Sequence, residues 1–458
     1  MKKLNIALAS LFLLGLASCS NDSLDPKILD QKDISTNPIS SVSDLRMVVN
    51  GAYKYMSSVS YYGRDYVVLN EVHSDNAVAN NRSGRFVTES SFTTVVSGAM
   101  PNTTWAAIYQ VIAQANIAIN ANVTGSAADA VKAEAYALRA LAHFDLMKLY
   151  GQQNVTQSLQ SLTVPYVTQY GVVTQENVDR LTYAELQAKV YEDIDTAISL
   201  ANANVTVKTK LNIQSIHALK ARFALYFAAY AGDAEYATAL QHAEKAIGLG
   251  GKIATSTEFV SIFEDGEVGV NSIFDIQFLD NDNLGNNSLF MLYQLTNYGD
   301  IVPTTDLKEK VFANPADIRG KLITLDTNKS YRMTGKYVFR ADNVKVIRVE
   351  EMYLTAAEAA FRAGDVTLAT EYVNKVVTNR GVAAYSNVSL EDIITERQRE
   401  FAFEGFRFDD LMRLKRDIPQ VNGRATTNTP AYGDYRLAFP IPRAETNVSP
   451  IQQNQGYL

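Results

Sequence analysis

The sequence has one cysteine, Cys19, one tryptophan, Trp105, and four histidines in 458 residues. A single cysteine excludes an intramolecular disulfide, so the fold must be held by its core. A chain of this length can bury a core large enough to need no such staple. His143, His217 and His242 fall in helical patterns with no histidine or carboxylate at zinc-ligand spacing, and read as hydrogen-bonded helix residues. Basic excess is also missing. Lys and Arg number 42 against 49 Asp and Glu, for a formal net charge of −7. No cationic surplus is available to displace phosphate counterions, so nucleic acid is excluded as a partner. No Gly-x-Ser-x-Gly elbow, phosphate loop or dinucleotide fingerprint occurs. Asp280–Gly285 begins like a calcium loop but has Leu284 at the fifth position and Met291 at the twelfth, so no metal is expected there.

Long apolar runs are absent too, except near the start. Met1–Ser18 carries Lys2 and Lys3, then a short apolar stretch ending Leu16-Ala17-Ser18. That is the pattern of a secretory signal, too short for a good membrane span. The lone cysteine follows directly, as in the lipobox of bacterial lipoproteins, so Cys19 is the expected lipid anchor. The expected organisation is a signal peptide over 1–18, a polar acidic tether over 19–36 and one domain over 37–458.

Tyrosine and phenylalanine are plentiful, at 25 and 19. Apolar residues at helical spacing predict helices over Ser43–Tyr55, Trp105–Asn122, Ala128–Tyr150 and Thr182–Ala201, with Ser43-Asp44 and the Thr182/Glu185 capping box as starts. Trp105 shares its register with Ile108 and Tyr109 and reads as core. Two later segments, Asn212–Gly248 and Val349–Thr378, look alike. Each is an alanine-rich helix, a Gly-Asp corner and a second helix, the unit of a tetratricopeptide-like array. The two are separated by Gly250–Lys345, which holds strand-like runs such as Ser272–Leu279 and polar loops, so the array is expected to be interrupted. Met56–Met100 has no sustained helical period and is rich in Tyr, Asn, Ser and Gly. A long irregular stretch of this kind is a candidate functional surface.

Charge is densest in Glu396–Arg416, where Glu396, Glu400 and Glu404 recur every four residues and would form an acidic stripe on one helix. Like charges so placed repel, so cations must neutralise them. Arg397 and Arg407 are the expected local partners, and Arg139 or Arg348 those from other helices. Carboxylates four apart on a rigid helix lie parallel rather than flanking a bond, and arginines keep both ionised, which leaves no general acid. The stretch therefore reads as structural rather than catalytic.

Several separated blocks resemble the SusD/RagB family of surface nutrient-binding lipoproteins: Ala137–Gly151, Val346–Asp365, the signature Glu396–Arg413, and the closing Phe439–Tyr457. The last departs from the family pattern at Ser449 and Gln455. The resemblance implies a mainly α fold, a superhelix of tetratricopeptide-like pairs supporting an irregular, loop-rich ligand-binding half with a few short strands. It implies an outer-membrane lipoprotein facing outside, without enzyme activity or cofactor. Its implied partners are a SusC-like TonB-dependent transporter and a glycan ligand, or a peptide as in the RagB branch. Arg139, Arg348, Glu396, Arg397, Glu400, Glu404, Arg407 and Asp410 lie in blocks that are architectural in this scheme.

Ligand residues do not carry over motif by motif, so chemistry must choose them. A glycan site needs aromatic faces for sugar C–H surfaces and forked polar groups for hydroxyls. The stretches Tyr61–Phe86 and Tyr293–Tyr298 supply both, and Tyr62, Asp75, Asn80, Arg82, Tyr293 and Tyr298 are the candidates.

Overall fold

The computed structural model describes residues 38–171, 178–263, 268–294, 298–424, 426 and 428–457. The signal segment, the tether and Cys19 lie outside these residues.

The main helices are α1 (Val42–Met56), α2 (Asp65–Val72), α3 (Ala99–Asn120), α4 (Ser126–Tyr150), α5 (Tyr183–Leu200), α6 (Ile213–Ala231), α7 (Ala234–Gly248), α8 (Val349–Arg362), α9 (Val366–Val377), α10 (Leu390–Phe401) and α11 (Arg407–Arg413). Helix α1 starts two residues earlier than expected. Ser41, not Ser43, is its N-cap, and its side chain accepts from the Asp44 N–H while Asp44 accepts in return. Thr182 and Glu185 form the anticipated box at the start of α5.

Consecutive helices pack side by side from α3 through α9, with α1 against α3 and α4. The hairpins α6–α7 and α8–α9 turn at Gly232 and Gly364, both with positive φ, where a side chain would strain the corner. Helix α7 packs directly on α8. The array is thus interrupted in sequence but continuous in space, and the intervening chain is extruded to one side. Small residues make this close stacking possible: Ala218, Ala221, Ala224, Ala239, Ala243 and Ala356 are all fully buried.

Three antiparallel two-stranded sheets occur among the described residues, and one of them joins the extruded chain to the Met56–Met100 region. β1 (Ala77–Ala79) pairs with β3 (Ile301–Pro303), β2 (Ser272–Ile276) with β6 (Val344–Arg348), and β4 (Ile323–Leu325) with β5 (Tyr331–Met333). The closing segment wraps the helical end of the molecule. Phe439 N–H donates to the Leu149 carbonyl, and the Asn454 side chain donates to the carbonyls of Tyr150 and Phe439.

The signature stretch is not one helix. α10 ends at Phe401, Phe403 and Gly405 take positive φ, and α11 begins at Arg407. Glu396 and Glu400 share a helix face, whereas Glu404 lies in the break and reaches the same cluster from there. Glu71 fixes the break by accepting the Gly405 N–H at 2.7 Å, and burial pushes its carboxyl up to about 7.

Candidate functional site

The acidic cluster comes first because it is the densest chemistry in the molecule. Glu396, Glu400 and Glu404 are all buried. Glu396 pairs with Arg319 at 2.7 Å and Arg399 at 2.6 Å. Glu400 pairs with Arg380 at 2.9 Å and Arg348 at 3.0 Å, and Glu404 with Lys336 at 2.6 Å and Arg348 at 2.8 Å. Arg380 also holds Glu350 at 2.8 Å. Phenylalanine faces cover the cations: Phe259 lies 4.0 Å from Arg380 and Phe401 5.0 Å from Arg348. Burial alone would raise the Glu400 carboxyl, but Arg380, Arg348 and Arg319 hold it well below the usual carboxylate range. Glu400 is thus held ionised by its arginines and offers no proton for general acid catalysis.

Most of the expected neutralising partners are different. Of the four arginines anticipated, only Arg348 meets the stripe. Arg139 pairs with Asp193 at 2.7 Å, Arg397 with Asp410 at 3.1 Å and Arg407 with Asp75 at 2.7 Å. The physical reason is the break after Phe401, which turns Arg407 and Asp410 away from the Glu396–Glu400 face. Arg319, Lys336 and Arg380 come from segments with no recognisable sequence pattern. Asp410, held by Arg397 and Arg413 against the cost of burial, is lowered to about 2.

The six ligand candidates divide. Tyr62 is buried, and its hydroxyl donates to Asp145 at 2.9 Å beside Tyr61 and Tyr66, which donate to the same carboxylate. It lines a narrow cleft with Lys148, Arg222, Asp409 and Arg413. The charged groups there have counterions within the fold: Lys148 has Asp409, Arg222 has Glu351 and Arg413 has Glu358. Tyr293 is fully buried, edge-on to Phe403 at 4.9 Å. Asp75 is clamped by both forks of Arg407 at 2.7 and 2.9 Å. Tyr62 lies in the turn before α2, Asp75 just before β1 and Tyr293 at the end of a short helix, and contacts within the fold engage all three side chains.

Asn80, Arg82 and Tyr298 come together at the surface. β1 and β3 carry their following and preceding loops to one edge, where Asn80 N–H donates to the Asp300 carbonyl and the Asn80 amide to the Gly299 carbonyl at 2.5 Å. Tyr298 is 44% exposed, with the Arg85 guanidinium 4.6 Å from its ring centroid. Arg85 also reaches the Asn286 carbonyl at 3.4 Å and lies 3.0 Å from the buried Asp300 carboxylate. Arg340 approaches the Asn286 side chain at 3.5 Å, and its neighbour Phe339 is 59% exposed. Beneath Phe339 and Arg340 is a small cleft lined by Gly63, Leu284, Phe290 and Val344. The face thus offers two accessible rings and several forked polar groups on a rigid base.

Sequence reasoning missed Arg85, Asn286, Phe339 and Arg340 as site residues. Phe339-Arg340 carried a usable signal: an aromatic beside a charge, outside any helical or strand period. The base of the face is tied to the signature stretch, through Asp75–Arg407, Gly405 on Glu71, and Gln398 donating to Asn76 at 3.0 Å.

Comparison with known proteins agrees with this architecture. A SusD-like family model, described as starch-binding associating with outer membrane, matches residues 26–225, and the SusD family model matches residues 321–457. SusD-like protein P2 of Formosa agariphila is 24% identical over the whole of both chains. The starch-binding protein SusD of Bacteroides thetaiotaomicron is 31% identical over 140 residues, 28% of this chain and 25% of that one. A putative sugar binding protein of Bacteroides vulgatus superposes with a TM-score of 0.84 at 25% identity, covering 92% of this chain and 99% of that one. A SusD superfamily protein of Bacteroides thetaiotaomicron superposes with a TM-score of 0.82 at 24% identity, covering 90% and 99%. The tetratricopeptide-like stack, the buried signature cluster and these matches lead to one conclusion: the chain belongs to the SusD/RagB family.

Proposed function

We propose that this protein is an outer-membrane lipoprotein, anchored through Cys19 and facing outside, that captures glycans and passes them to a TonB-dependent transporter. The observation that carries the reading is the face of Tyr298, Phe339, Arg85 and Asn286, where exposed rings stand beside forked hydrogen-bonding groups. Rings of this kind pack on the C–H surfaces of sugars, and amide and guanidinium forks meet vicinal hydroxyls. The family description as starch-binding and outer-membrane associated supports the same reading. Among the described residues no helix is long and apolar enough to cross a membrane. The ion pairing of the acidic cluster supports binding without hydrolysis, because its carboxylates are taken up by arginine and lysine partners.

A shallow face of this kind gives weak binding, with Kd of about 10 μM to 1 mM, or about −4 to −7 kcal/mol. The test is calorimetric titration of the full-length protein against a panel of oligosaccharides, with reducing ends assayed in parallel. Saturable binding is expected, reduced at least about tenfold by Tyr298→Ala with the melting temperature unchanged. Binding of oligopeptides with no response to any glycan would replace this reading with peptide capture, and release of reducing ends would establish a hydrolase.

A further inference from the structure

The charge of this face differs from that of the chain. The net charge is −7, yet guanidinium groups converge here from three separate segments. Arg64 donates to the Asn287 side chain at 2.7 Å, and Arg85 and Arg340 both approach Asn286. Arg82 is exposed three residues before Arg85 on the same loop. The carboxylates of the region lie behind these cations rather than among them. Asp65, on Arg64, and Asp300, on Arg85, are both buried. Asp342 is buried as well and caps the turn by accepting the Phe339 N–H at 2.9 Å. On the Asp280–Asn287 loop Asp280 and Asp282 are both exposed, and Asp282 is engaged by Lys54 at 2.6 Å. Arg82 and Arg340 have no carboxylate partner among the described residues, and no lysine stands in for one of them.

Exposed guanidinium forks beside an accessible ring can meet planar or tetrahedral oxyanions bidentately, with a charge assistance that neutral hydroxyls do not supply. We infer that the ligand of this face is an acidic glycan, one bearing uronate carboxylates or sulfate esters, with Arg82 and Arg340 meeting the anionic groups while Tyr298 and Phe339 pack on the rings of the sugars. The inference rests on the glycan-binding reading above. Arg85 is the positioning residue of the set, because its guanidinium is already divided between Asp300, Asn286 and the Tyr298 ring.

The test titrates the full-length protein with oligogalacturonides, sulfated galactan oligosaccharides, neutral glucan oligosaccharides and tetraglutamate. The expected result is binding of at least one acidic series about tenfold or more tighter than the neutral one, falling steeply as salt rises from about 0.05 to 0.5 M. The uronate and sulfate arms tell the two anion sources apart. Arg82→Gln and Arg340→Gln should each weaken acidic binding about tenfold and leave the melting temperature unchanged. Neutral oligosaccharides bound at least as well as acidic ones, lost on Tyr298→Ala but insensitive to both arginine variants, would overturn the charge inference and keep the glycan site. Tetraglutamate binding alone, or no binding by any ligand, would overturn both.

Discussion

At the scale of single residues, the cluster around Glu400 carries the largest energies. Each buried charge has its desolvation offset by a partner at hydrogen-bond distance, so removing one partner costs far more than the pair contributes. Glu404→Ala leaves Lys336 and Arg348 short of an anion, and should destabilise the protein by about 3–5 kcal/mol in denaturant titration. Ligand affinity per folded molecule should stay unchanged, since Glu404 is buried away from the Tyr298 face. A variant of normal stability that no longer binds would contradict this assignment. The same residues set the acid limit of the fold. Asp410 titrates at about 2, and the Glu400 carboxyl is also held low, both below the carboxylate values of an unfolded chain, about 4. Their stabilisation is therefore fully present above about pH 5 and is lost as pH falls through their folded values. Thermal melts should show a steep fall between about pH 4 and 2. The deficit of Asp410→Asn against the parent should shrink over that fall.

At the scale of elements, the break between α10 and α11 decides what the signature stretch does. Gly405 sits at φ +85, and a Cβ there would stand 3.1 Å from the Val67 Cα. Gly405→Ala should cost about 1–3 kcal/mol from backbone strain, with more if α2 must move. Because α2 leads into β1 and the Asn80–Arg85 loop, this variant should also weaken glycan binding, unlike Glu404→Ala; calorimetry on the folded fraction separates the two. The break also marks a limit of what periodicity can show. A spacing of four from Glu396 to Glu404 fits a helix, and Phe403 in the middle gives no warning, because a non-glycine residue with positive φ has no pattern of its own. The long helices were legible because each keeps an apolar stripe over several turns, and the Thr182 box and Gly-Asp corners because their chemistry is local. Partners such as Arg319, Lys336 and Arg380 were not legible. Nothing in sequence spacing tells an arginine on an irregular segment which buried carboxylate it will meet.

At the scale of the whole molecule, helices repeat and stack while the loops between them build the binding face. The places of Tyr298 and Asn80 at or near the surface were legible because each lies in a polar loop. Tyr62 and Tyr293 were misassigned because the same composition also suits a tyrosine whose hydroxyl or ring is taken up inside. The wrapping of the C-terminal segment has a consequence in time. Asn454 donates to the Tyr150 carbonyl across 304 residues of chain, and its partner at Phe439 lies in the same late segment. The carbonyls that end α4 therefore wait for a segment made some 304 residues later. Until that segment has been synthesised this end of the stack stays unsealed, so the fold closes late in synthesis.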